Sequence, residues 1–185
     1  MAPISGLLQD CMSWVWVSLD LGVPQIVVVQ QNNKNKTINI MSITHDYEVD
    51  IKWEQGRIGM ASSDALDNRI QVATPPEFKG GIDGIWSPEH LLVAAANSCL
   101  MTTFLAIAEN SKLEFTSFDS KAKGKLEMKD GKYMISEIHF ETYLKIPDME
   151  QKQKAERLLH KSENVCLISN SLNAIRTISI HISKG

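Results

Sequence analysis

Apolar and polar residues alternate from Tyr47 to Trp53, where Tyr47, Val49, Ile51 and Trp53 interleave with Glu48, Asp50 and Lys52. A period of two predicts a strand with one apolar face. Gln55-Gly56 makes a turn, Arg57–Ser63 reads as a second short strand and Asp67–Ala73 as a third, so the domain opens with an antiparallel meander. Thr74–Gly84 holds Pro75-Pro76 and Gly80-Gly81, and reads as a loop. The pattern then changes. Ser87-Pro88-Glu89 is a helix start: serine is a good N-cap, proline suits the first helical position, and the acid favours the positive end of the helix dipole. The helix extends to about Asn110, and Leu91–Ala108 is apolar nearly all round, which predicts a buried central helix.

Two long alternating stretches follow, Phe115–Met128 and Tyr133–Ile146, joined through Lys129-Asp130-Gly131-Lys132, where Asp-Gly favours a tight hairpin. Asp148 caps a second helix from Met149 to about Ser162, with Ala155, Leu158 and Leu159 facing inward. Ser169–Ala174 reads as a short helical turn and Ile175–Ile182 as a last strand. The order β-β-β-α-β-β-α-β is that of an α+β domain with antiparallel sheets around a central helix.

Upstream of this domain the pattern breaks down. Ser13–Val17 and Val23–Val29 are apolar, Gln30–Lys36 is a polar run, and Asp20 interrupts the apolar stretch before about 18 clean residues accumulate, too few for a membrane span. A basic leader and a small-residue cleavage site are both missing, so the segment is a poor signal peptide. Residues 1–40 read as an N-terminal extension, poorly ordered or outside the natural product, and 41–185 as the folded domain. The competing reading is an arm that packs on a partner subunit.

Apolar residues make up 43% of the 185, enough for a substantial core, and the net charge of −3 argues against binding a polyanion such as nucleic acid. The three cysteines, Cys11, Cys99 and Cys166, are too few and too irregularly spaced for a secreted disulfide scaffold or a zinc site. They suit a reducing, cytoplasmic setting, in which such thiols are either inert core or redox centres. Cys11 lies in the extension and is given no catalytic role. Cys99, in mid-helix, and Cys166, after the second helix, carry the candidate chemistry.

Around Cys99 the chain reads Ser87-Pro88-Glu89-His90-Leu91-Leu92 and then Ala94-Ala95-Ala96-Asn97-Ser98-Cys99. Around Cys166 it reads Glu163-Asn164-Val165-Cys166-Leu167-Ile168-Ser169-Asn170. From Tyr47 to the C-terminus the sequence resembles the OsmC/Ohr family of hydroperoxide reductases. Its first motif has a proline-acid pair opening the central helix and a cysteine ten residues after the acid, as from Glu89 to Cys99. Its second has a cysteine after a valine with Ser-Asn close behind. Gly56-Arg57-Ile58-Gly59 resembles the Gly-Arg-x-Gly of the organic hydroperoxide resistance branch. The second motif departs from the usual Val-Cys-Pro-Tyr-Ser, and the first lacks the usual Ala-Cys-Phe.

The resemblance implies a thiol peroxidase whose catalytic residues are Cys99, Cys166, Arg57 and Glu89. Cys99 attacks a hydroperoxide and Cys166 resolves the product as a disulfide, which an external lipoyl-type dithiol reduces. Arg57 would hold the thiolate and Glu89 balance its charge. Arg69 rivals Arg57 for that position. The resemblance implies no bound cofactor or metal, and an intertwined homodimer. Ten helical residues span about 15 Å, so Glu89 cannot touch Cys99 along one straight helix: either Arg57 bridges the gap or subunits share the site. Two other readings stand beside this one. One is a non-enzymatic relative binding a hydrophobic small molecule in the dimer cleft. The other is a cysteine hydrolase, which would need a histidine beside Cys99. His90 reads as a helix-start residue and His160 as solvent-facing.

Overall fold

A computed structural model describes residues 44–185 and, upstream of them, two short paired strands, β1 (Val27–Val28) and β2 (Asn39–Ile40). The chain divides into two compact units, Met1–Asp46 and Tyr47–Gly185. Cys11 and most of the 1–40 extension lie outside the described residues.

The first sheet of the second unit is the meander β3 (Asp50–Gln55), β4 (Ile58–Ser62) and β5 (Ile70–Ala73), antiparallel throughout. Gly56, at φ +51°, makes the β3–β4 turn in a conformation that favours glycine. A parallel bridge from Val72 to Trp86, with Ala73 N–H donating to Trp86 O at 2.9 Å, ties this sheet to the start of helix α1 (Pro88–Asn110). The N-cap is Ser87, as the sequence indicates: fully buried, its Oγ accepts from His90 N–H at 3.3 Å.

The second sheet holds β6 (Ser117–Lys129), β7 (Lys132–Ile146) and β8 (Ile175–Lys184), with β7 in the centre. Asp130 and Gly131 both take positive φ, the signature of a type I′ hairpin turn between β6 and β7. Strand β8 pairs with β7 in parallel, so this sheet is mixed where an antiparallel one was expected. A parallel pair needs a long crossover. Here the 3-10 turn Met149–Gln151, α2 (Lys152–Val165) and α3 (Leu167–Asn170) supply it. The short helix begins earlier than the predicted Ser169, because Cys166 adopts extended backbone (φ −60°, ψ 116°) that ends one helix and caps the next.

The core lies between α1, α2 and the inner face of the second sheet. Phe104, Ala108, Leu113, Leu144, Ile146, Ala155 and Leu159 form one cluster, and Ala96, Leu100, Ile138 and Phe140 a second, on which Ile168 packs. Gly124 lets α1 approach β6 closely, since a Cβ there would come within 2.5 Å of Val93 Cγ2. Helix α1 is long and apolar enough by length and composition to cross a membrane, with a mean hydropathy of 1.9 over 18 residues. In this fold its stripe Ala96, Leu100, Phe104, Ile107 and Ala108 is buried in the core. The sequence predicted burial on every face. Instead Met101 and Leu105 remain 38% and 39% exposed, because one chain provides a sheet and a helix to cover only one side.

Candidate functional site

Cys99 is half-buried on α1, one turn before Thr103, whose Oγ1 lies 3.9 Å from its sulfur. The segment after α2 brings further partners. Ile168 N–H donates to Cys99 Sγ at 3.5 Å, and Cys166 lies near enough for each thiol to affect the other's ionisation. Cys166 itself is fully buried. Two cysteines 67 positions apart in sequence therefore meet in one site, both as free thiols.

Their surroundings push them in opposite directions. Burial alone would raise the Cys99 pKa. The Ile168 amide, the Cys166 thiol, the Thr103 hydroxyl and the Leu167 amide outweigh burial and hold it below the usual thiol range. The Cys166 pKa is raised, first by burial and then by its place as donor beside the charge on Cys99, with the Ser169 hydroxyl partly offsetting both. The surroundings thus favour ionisation at Cys99 and disfavour it at Cys166. Only the thiolate is a competent nucleophile.

Glu89 lies elsewhere on α1. With Ser87, His90 and Asn97 it lines a cavity of about 730 Å³, walled on the other side by Ala122 and Ile135 of the second sheet. Its Oε2 is buried without a hydrogen-bond partner. Ser87 Oγ sits 2.9 Å from His90 Nδ1, and His90 meets the Trp86 ring edge-on. Arg57 follows the β3–β4 turn and is exposed, its aliphatic stem running over Gly80. Among the described residues no ion pair or side-chain hydrogen bond joins Arg57 to Glu89 or Cys99. Arg69 is also exposed, before β5.

A single chain therefore assembles Cys99 with Cys166 and leaves Arg57 and Glu89 apart from them. It does not use Arg57 to bridge the distance between Glu89 and Cys99. The hydrolase reading gains no support: the partners of Cys99 are a hydroxyl, a thiol and backbone amides, and His160 is exposed on α2. Among the described residues no group of three or more His, Cys, Asp or Glu side chains could hold a metal ion. Sequence reasoning missed Thr103 and the Leu167–Ile168 amides. Thr103 carried a readable signal, its i+4 spacing from Cys99. The amides carried none, because their approach depends on where α2 ends.

Comparison with known proteins matches this arrangement to one family. Residues 81–181, more than half of the chain and including both cysteines, match the model of the OsmC-like protein family. A relative from Bacillus subtilis (strain 168), named uncharacterized protein YmaD, is 24% identical over 131 residues, covering 69% of this chain and 87% of its own. The structure of an OsmC-like protein of unknown function from Vibrio cholerae superposes with a TM-score of 0.67 at 20% identity, over 74% of this chain and 99% of the other. That of an organic hydroperoxide resistance protein from Elizabethkingia anophelis superposes with a TM-score of 0.60 at 21% identity, over 77% and 100%. At these identities the superpositions speak for the fold alone. With the family match spanning both cysteine segments, the chain belongs to the OsmC-like family, some of whose structural relatives are organic hydroperoxide resistance proteins.

Proposed function

We propose that this protein is a thiol peroxidase that reduces organic hydroperoxides through Cys99 and Cys166. The observation that carries the reading is the meeting of the two thiols, with the Ile168 amide donating to Cys99 Sγ at 3.5 Å and the surroundings favouring ionisation of Cys99 over Cys166. The Cys99 thiolate attacks the terminal oxygen of the hydroperoxide. A sulfur–oxygen bond forms, the O–O bond breaks, and the alkoxide leaves and takes a proton from solvent to become the alcohol. Cys99 is left as a sulfenic acid. The Cys166 thiol then displaces its hydroxyl, giving a disulfide and water. An external dithiol of the lipoyl class reduces the disulfide by exchange and becomes a cyclic disulfide itself.

In this reading the site is completed by a second copy of the chain. The unpartnered Glu89 carboxylate oxygen, the exposed Arg57 and the exposed apolar residues Tyr47, Val49, Ile51 and Trp53 are features a homodimer would engage. An arginine brought there would balance Glu89 and face the peroxide oxygens with charge it cannot lose. Three sparse, irregularly spaced cysteines fit a reducing, cytoplasmic setting.

The test is consumption of cumene hydroperoxide by the purified protein with a dihydrolipoyl donor, against Cys99→Ser and Cys166→Ser. Turnover in the wild type that falls at least a hundredfold in Cys99→Ser, and is lost with the dithiol donor in Cys166→Ser, supports the reading. A wild type inert to organic and hydrogen peroxide with any dithiol contradicts it. That outcome favours the second reading, a non-enzymatic binder, for which the cavity beside Glu89 is the specific observation.

A further inference from the structure

The segment carrying Cys166 is held from one side by a single guanidinium. Arg176, on β8, reaches back across the crossover. Its Nε donates to Glu163 Oε1 at 2.9 Å in the last turn of α2, its Nη1 to Ser169 O at 2.5 Å, and its Nη2 to Asn170 Oδ1 at 3.3 Å. These acceptors bracket Cys166, three residues before it and three and four after. Asn170 closes the bracket by donating from Nδ2 to Asn164 O at 3.0 Å, and its backbone N–H donates to Cys166 O at 2.9 Å.

The Arg176–Glu163 pair is largely shielded, with side-chain exposures of 23% and 14%. The chain's other ion pairs among the described residues are more exposed. A shielded, forked guanidinium contact fixes geometry in a way an exposed lysine pair does not. What it fixes is the turn that Cys166 caps and whose Ile168 amide donates to Cys99. Ile168 anchors the same turn from below by packing on the Ala96–Leu100–Ile138–Phe140 cluster. Leu167 and Ile168 give this turn ordinary, unrestricted backbone, so its shape depends on such outside contacts.

We infer that Arg176, with Glu163 as its anchor, is a positioning residue for the cysteine pair: it pins the Cys166–Asn170 turn so that the Ile168 amide faces Cys99 with Cys166 beside it. Arg176 touches neither sulfur, and acts through the backbone it holds. Its consequence for turnover rests on the peroxidase reading. Its consequence for Cys99 ionisation does not. Arg176→Lys keeps the positive charge that Arg176→Ala removes, so comparing the two separates loss of the turn's hydrogen bonds from loss of the charge.

The experiment is the pH dependence of iodoacetamide alkylation at Cys99, resolved from Cys166 by mass-spectrometric peptide mapping, in the full chain and in Arg176→Ala, Arg176→Lys and Glu163→Gln. Losing one hydrogen bond to the thiolate raises its midpoint by about one pH unit, so alkylation below the midpoint slows about tenfold. Arg176→Ala is expected to show that full shift. Arg176→Lys and Glu163→Gln, which keep part of the bracket, are expected to show a smaller one and serve where the alanine variant does not fold. An unmoved midpoint in any folded variant, even with a lowered melting temperature, overturns the inference and leaves Arg176 a stability residue. A moved midpoint in a protein that consumes no peroxide leaves the inference standing and removes the peroxidase reading instead.

Discussion

The two three-stranded sheets carry similar alternating patterns and meet different fates in a single chain. In β7, Ile138, Phe140, Leu144 and Ile146 point inward and are essentially removed from water by α1 and α2. In and before β3, Tyr47, Val49, Ile51 and Trp53 alternate just as cleanly, yet each is well over half exposed. Burying a valine or isoleucine side chain stabilises a fold by about 1.5–3 kcal/mol, so the first sheet leaves a large stabilisation unrealised. The lesson extends to the site. Cys99 and Cys166 sit on elements that pack within one chain and are brought together. Arg57 sits on the sheet that does not, and is left apart. The covered half of the molecule positions the thiols, and the bare half holds Arg57, which the proposed homodimer would bring to them.

Substitutions should separate the halves. Phe104→Ala, in the covered half, removes a fully buried ring stacked on Phe118 at 5.1 Å and tilted against Phe115 at 5.5 Å. The expected cost is about 3–5 kcal/mol in urea unfolding, and a cost below about 1 kcal/mol would mean that this cluster does not carry the fold. Ile51→Ser, in the bare half, is expected to change the stability of the isolated chain by less than about 0.5 kcal/mol. Its effect should appear in sedimentation, as dissociation of a homodimer at concentrations where the wild type stays assembled. A loss of several kcal/mol in the monomer would show that the first sheet is covered within its own chain, and the comparison would fail.

This division also explains what could be read from the sequence. The helix start at Ser87-Pro88-Glu89 and the Asp130-Gly131 hairpin are local signals, and both elements form where the residues specify. The resemblance of the two cysteine motifs to those of the family pointed to Cys99 and Cys166, and the fold brings both to one place. The parallel pairing of β8 was not legible, because strand direction depends on the crossover and not on alternation. Nor was the partial exposure of α1: an apolar helix looks the same in sequence whether one chain or two will cover it. Arg176 gave no signal, since an inward arginine on a strand resembles any other until its acceptors are known.

The central claim is that Cys99 and Cys166 act as one redox pair, with Cys99 the nucleophile. It is tested most directly by treating the reduced protein with one equivalent of cumene hydroperoxide across a pH series and mapping the products by mass spectrometry. The expected products are a Cys99–Cys166 disulfide and, in Cys166→Ser, a sulfenic acid on Cys99. Because the Cys99 pKa is lowered, the reaction should persist at pH values below those at which an ordinary thiol has lost its thiolate, and fade only as pH falls through the Cys99 midpoint. Oxidation that begins at Cys166, or a Cys99 that reacts only at the alkaline pH of an ordinary thiol, would contradict it.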